Sequence, residues 1–216
     1  MPLLLALMIT ALVTTLGGAL VVLVAAETAV SANHRDALEA LYAADAGIER
    51  AIGDLRTLSA WQDVPGAAPA AAPPDFRDGA VAPGLADGTI LDLARLTLER
   101  QAGSNAAYPP GADRPIWRLF AHAPIDRLLP AGAIRSPTYV VLWIADDVAD
   151  GDGDPLRDAN GVLVVRAEAF GLRGTRRRIE AAVAREEVPD ESESDPAGEA
   201  AVQPNEVRMI SWREVS

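Results

Sequence analysis

From Pro2 to Ala26 the chain runs 25 residues without a charged side chain, built mainly from Leu, Val and Ala. A helix needs about 20 apolar residues to cross a hydrocarbon core about 30 Å thick, so this stretch is long enough to span a membrane. A cleavable signal peptide is the competing reading, with Val24-Ala25-Ala26 as small residues before Glu27. Its apolar region is ordinarily only about 7–15 residues and follows a basic segment, whereas no Lys or Arg precedes this one. The span is therefore the preferred reading for residues 1–26. Gly17-Gly18 in its middle weakens a helix by about 1 kcal/mol each relative to Ala in water. The same pair also leaves a place where another backbone can come close.

The helical signal continues beyond the apolar stretch. No Pro occurs from Glu27 to Ser59, and Ala37, Leu41, Ala44, Ile48, Ile52 and Leu55 recur at three- and four-residue spacing. Arg35, Asp36, Glu39, Glu49, Arg50, Asp54 and Arg56 mostly occupy other faces. Residues 27–60 thus extend the span as an amphipathic half of the same helix, together about 57 residues and about 85 Å at 1.5 Å per residue. Such a rod needs a surface to pack against. Asp45 falls at the margin of the apolar stripe, where a carboxylate is either solvated or paired with a partner subunit. After Trp61, the density of Pro65, Pro69, Pro73, Pro74 and Pro83 with Gly66, Gly79 and Gly84 predicts an irregular linker over 61–89.

Residues 90–185 read as a β-rich head. Ile90–Gln101 favours a short helix by its Ala, Arg and Glu content. Ile116–Ala123 places Trp117, Leu119 and Ala121 on one parity and Arg118, Phe120 and His122 on the other, as in a partly buried strand. Pro124–Pro130 suggests one helical turn, and TYVVLWIA over Thr138–Ala145 a central strand. Gly161–Phe170 and Arg176–Arg185, separated by a short glycine-bearing corner, predict an antiparallel hairpin. Residues 186–205 form an acidic segment too charged to bury, and 206–216 a returning edge strand. The expected class is α+β, a long N-terminal helix laid on a small antiparallel sheet.

A net charge of −12, from 19 Lys plus Arg against 31 Asp plus Glu, argues against a nucleic-acid surface. The absence of cysteine removes disulfides, thiolate metal sites and thiol nucleophiles. His34 and His122 sit in no metal-ligand spacing, and Gly151-Asp152-Gly153 is embedded in acids that repel phosphate, so neither catalytic nor cofactor-binding residues are expected. Trp61, Trp117, Trp143 and Trp212 read as packing residues. Arg173, Arg176, Arg177 and Arg178 form a basic patch that is either solvated or set against an acidic partner or the chain's own acids.

Six aspartates crowd one loop: Asp146, Asp147, Asp150, Asp152, Asp154 and Asp158. Mutual repulsion makes that costly unless a cation is held there. Asp150-x-Asp152-x-Asp154 reproduces the first three ligand spacings of a helix-loop-helix calcium loop, with Asp158 available later. Pro155 replaces the sharp-turn Gly, and Gly161 replaces the bidentate Glu, so the motif itself is absent. The alternatives are an irregular calcium site on Asp150, Asp152, Asp154 and Asp158, or a solvated hairpin loop.

The run from the apolar span through Asn33-His34-Arg35 to Leu41-Tyr42-Ala43-Ala44-Asp45-Ala46-Gly47-Ile48-Glu49-Arg50-Ala51 resembles the N-terminal region of PilX-type minor pilins of type IV pilus systems. That pattern is an apolar helix, then A-x-N, then A-[ED]-A-G-[IL]-E-x-A. The resemblance implies a single-pass subunit of the bacterial inner membrane with a periplasmic or outer head. It implies extraction from lipid and assembly with other minor pilins and the major pilin, on an inner-membrane platform, to prime or tip the filament. Prepilins also carry a charged leader ending in Gly, with a Glu at the fifth mature position. Met1-Pro2-Leu3-Leu4 does not match it, and neither Gly17 nor Gly18 precedes such a Glu. A membrane-anchored adhesin or receptor using the acidic loop, and a minor pseudopilin of a type II secretion system, are the alternatives.

Overall fold

The structure of the protein is a computed structural model describing residues 1–71, 80, 82–108, 114–127, 135–186 and 206–215. Helix α1 runs unbroken over Pro2–Arg56, with Pro2 in the first turn, where a missing N–H removes no helical bond. It ends at Thr57, whose hydroxyl donates to the Asp54 carbonyl at 2.7 Å. The buried Trp61 indole N–H donates to the Leu55 carbonyl at 3.1 Å, satisfying another acceptor at the helix end.

Helix α2 follows at Val64–Ala71, inside the segment expected to be irregular. Pro65 is tolerated there because first-turn N–H groups have no partner within a helix. Val64 and Trp61 join the core, so this part of the chain is docked on the head rather than strung between rod and head. Residues 72–79 and 81 of the expected linker lie outside the described residues. Helix α3, Leu93–Ala107, is capped by Asp92, whose side chain accepts the Arg95 N–H at 2.9 Å.

Five strands form one antiparallel sheet in sequence order: β1 Arg118–Pro124, β2 Tyr139–Asp146, β3 Val162–Phe170, β4 Arg176–Glu186 and β5 Glu206–Glu214. All eight residues of β2 are buried, as its β-branched and aromatic run requires. The β3–β4 corner closes through Leu172–Gly174, where Arg173 and Gly174 take positive φ of 55° and 72°. In β1 the register shifts between Leu119 and Ala121, and this bulge breaks the expected parity. Phe120, Ala121 and Ala123 all join the core on the α1 side of the sheet, while Trp117 and Leu119 pack on the other. The expected turn after Pro124 is a 3-10 turn at Ile125–Arg127, with 128–130 outside the described residues. Of the acidic segment, 187–205 also lies outside them.

Alternation sorts the sheet into two faces. Val140, Leu142 and Ile144 with Leu163, Val165, Ala167, Ile179, Ala181 and Val183 meet Ala40, Ala44, Ile48, Ile52 and Leu55 of α1. Val141, Trp143 and Phe170 meet Leu93 and Leu96 of α3 on the opposite face. The result is three layers, α1 and α2, the sheet, and α3, joined to an apolar helical projection.

Candidate functional site

Two surfaces bear on function: the free half of α1 and the aspartate loop between β2 and β3. Every residue from Met1 to Ser31 is exposed, including Leu7 at 69 %, Leu16 at 62 % and Val22 at 70 %. The helix is long and apolar enough to cross a membrane. Its threonine hydroxyls are internally satisfied: Thr10, Thr14 and Thr28 donate to carbonyls four residues back and Thr15 to one three back, at 2.8–2.9 Å, so none of these donors depends on water. Gly17 and Gly18 have nothing within 4 Å of where a Cβ would stand, leaving that stretch of backbone open to a neighbour.

Burial begins abruptly at Asp36, which is 6 % exposed and paired with Arg173 at the β3–β4 corner. From there α1 approaches the sheet on small residues. Ala40, Ala44 and Ala51 are completely buried, and a Cβ on Gly47 would stand 2.8 Å from Val140 Cγ1. Asp54, which the periodicity placed on another face, and Asp45, expected at the margin of the apolar stripe, both find partners within the chain. Asp54 is 7 % exposed and bonded to Arg50 at 3.0 Å, and Asp45 accepts the Trp212 indole N–H at 3.0 Å. Asp45 is thus paired within its own chain, and Trp212, still 45 % exposed, acts as a donor to the helix rather than a core residue.

The basic patch is also spoken for. Glu168 is fully buried on the α3 face, where Arg178 Nε donates at 3.0 Å, Arg100 Nη2 at 2.6 Å, and Arg176 pairs with the same carboxylate. Arg177 donates to Glu214 at 3.0 Å. The guanidinium of Arg100 lies 5.8 Å from the Trp143 ring centroid and that of Arg176 4.9 Å from Phe170, so the cluster is roofed by aromatic faces. Burial first, then the neighbouring Arg178 and Arg100 charges, pull Arg176 down to about 10. These arginines are structural counter-ions, not a solvated face.

The aspartate loop leaves β2 at Asp146 and returns to β3 at Val162. It is tied to the post-helix segment by the Asp158 N–H, which donates to the Gln62 carbonyl at 2.9 Å. Five of its carboxylates serve the loop backbone, Asp147 Oδ2 among them by accepting from Ala149 at 2.9 Å. Asp158 Oδ1 accepts from Gly161 and Val162 at 2.8 and 3.1 Å, and Asp154 Oδ1 from Leu156 at 3.1 Å. Asp152 Oδ1 accepts from Asp154 at 2.8 Å, and Asp150 Oδ2 from Ala159.

Asp146 differs from these. Only 3 % exposed, its Oδ1 is buried without a hydrogen-bond partner. One oxygen from each of Asp146, Asp150 and Asp152 falls within 4.8 Å of the others. At an effective dielectric near 20, two unit charges at that separation repel by about 3 kcal/mol. Burial, with the charges of Asp150 and Asp158 adding to it, pushes the Asp146 carboxyl up to about 7. Of the four aspartates singled out by spacing, the structure gathers Asp150 and Asp152 with Asp146 and leaves Asp154 and Asp158 out of the group. Asp146 was missed as a ligand because it closes an apolar strand, and burial at a strand end is not written in local spacing.

A long helix, half free and half packed on a small antiparallel sheet, defines a pilin-like α+β protein. Residues 3–49 match the PilX N-terminal family model, the portion of α1 that runs from the free half into the docked half. The match supports, at family level, a type IV pilus-related pilin, a structural rather than enzymatic class that works by associating with other pilus components. It covers less than a quarter of the chain. No curated protein and no solved structure matches the chain.

Proposed function

We propose that the protein is a minor pilin that helps prime or tip a type IV pilus. In this reading the free half of α1 resides in the inner membrane until assembly, then packs among the helices of other minor pilins and the major pilin. The head stays on the extracytoplasmic side. The observation that carries this is the division of one helix at Asp36: mainly apolar and largely exposed before it, and one wall of the head's core after it. A soluble domain has no use for 31 exposed, mainly apolar residues at its start, whereas a subunit that exchanges lipid for helical neighbours requires them. The arginines of the basic patch are spent on Asp36, Glu168 and Glu214, and no enzymatic role is assigned.

The test is deletion of the gene in its native host, with surface pili counted by electron microscopy beside a complemented strain. Pili scarce or absent on deletion and restored on complementation are expected. Unchanged pili would sink the priming role. Unchanged pili together with failed protein secretion would move the subunit to a type II secretion system.

A further inference from the structure

We infer that Asp146, Asp150 and Asp152 bind one calcium ion at the β2–β3 loop. Each residue brings an oxygen that the fold leaves unused. Asp146 Oδ1 is buried and unpartnered, and the second oxygens of Asp150 and Asp152 accept no hydrogen bond among the described residues. An isolated acidic cluster would mean little, since exposed carboxylates gather without ions. The buried orphan on Asp146 is a separate observation, because the fold holds one of its oxygens away from both water and protein on a carboxylate that converges with two others.

The dimensions agree with the ion. Calcium–oxygen distances run about 2.3–2.6 Å, so two ligands of one ion stand no more than about 5 Å apart. The observed limit of 4.8 Å fits within that span. The ligand set is all carboxylate, which suits a hard cation and disfavours zinc or copper. Calcium takes six to eight oxygens in irregular arrangements, and loop carbonyls or water can complete them. Magnesium demands a regular octahedron, which an irregular loop does not supply. Among the described residues no arginine forms an ion pair with Asp146, Asp150 or Asp152, so the chain offers no internal substitute for the cation. This inference does not depend on the pilus reading.

The experiment uses the full chain in detergent micelles, stripped with chelator, then titrated calorimetrically with calcium chloride, with thermal unfolding recorded in parallel. One ion per chain, with Kd at or below about 1 mM and a rise in Tm on saturation, is expected. Asp150→Asn should weaken binding at least about tenfold, whereas Asp154→Asn should leave it within about twofold. Magnesium should bind at least about tenfold more weakly than calcium. No saturable binding up to about 10 mM, tenfold above the weakest affinity expected of such a site, would overturn the assignment. So would binding that survives Asp150→Asn and Asp152→Asn unchanged, which would place the ion elsewhere. Magnesium binding as tight as calcium would overturn the choice of ion. Asp152 and Asp154 are exposed and Asp150 is buried, so the folding of all three Asn variants is checked by the same unfolding curves.

Discussion

Gly47 of α1 sits so close to Val140 of β2 that a Cβ on the glycine would stand 2.8 Å from Val140 Cγ1. Val140 is fully buried and also lines the core, so it has little room to yield. Gly47→Ala should therefore destabilise the head by about 1–3 kcal/mol through overpacking, even though alanine favours a helix by about 1 kcal/mol. Val140→Ala in the same chain should recover part of that loss, a favourable coupling readable as a double-mutant cycle in thermal unfolding. A Gly47→Ala chain as stable as the parent would show that helix and sheet can separate freely at this point.

Glu168 holds Arg100, Arg176 and Arg178 together with no exposure to solvent. Glu168→Gln keeps the volume and removes the charge, leaving three guanidinium groups with one neutral acceptor. Breaking a buried pair of this kind costs about 3–5 kcal/mol. The Arg95–Glu99 pair on α3 is exposed, and Glu99→Gln should cost no more than about 0.5 kcal/mol. Denaturant midpoints for the two variants should differ clearly; equal midpoints would contradict the counter-ion role of Glu168.

Asp36 is buried and depends on Arg173, which reaches it from a left-handed position at the β3–β4 corner. Arg173→Ala strands the carboxylate and should cost about 1–3 kcal/mol, the penalty of an unsatisfied buried group. Adding Asp36→Asn should restore most of it. Hydrogen exchange over 36–44 of α1 is the discriminating readout, because loss of the pair should speed exchange there and leave 48–55 protected. Uniform exchange along both segments would mean that the helix docks without this contact.

Asp146 carries the clearest electrostatic conflict in the head. Its carboxyl, pushed up to about 7 by burial and by Asp150 and Asp158, is costly to ionise in the absence of a cation. With chelator present, Asp146→Asn should raise Tm, because the amide occupies the same space without a charge. With saturating calcium the order should reverse, since the parent gains from the ion and the variant does not. A variant less stable than the parent in chelator would refute the conflict.

The elements that sequence revealed are those whose pattern is local. The β-branched run of β2, the glycine corner between β3 and β4, and the apolar stripe of α1 each declare themselves within a dozen residues. What escaped depends on geometry that spacing does not encode. One extra residue in β1, Phe120, slipped the parity of a whole strand face. Helix α2 hid behind Pro65, which read as a breaker although a first turn accepts proline. Asp36 and Asp54 looked like solvent-facing charges of an amphipathic helix and Asp45 like a residue at the margin of its apolar stripe, and each found a partner, two of them from strands or corners more than a hundred residues away. The aspartate loop was legible as a crowd of charge, but not as a group with Asp146 at its centre.

If the protein assembles as proposed, the free half of α1 also fixes where the energy for its relocation must come from. Acyl chains and the side chains of neighbouring apolar helices are nearly equal hosts for Leu, Val and Ala, so moving this stretch from one to the other gains little from the hydrophobic effect. Close packing at a spot such as Gly17-Gly18 gives direction to the transfer, but only in small increments. On the proposed reading the polypeptide is therefore poised between two surroundings of similar comfort, and lifting it out of lipid needs work supplied from outside the helix, with the head as the handle.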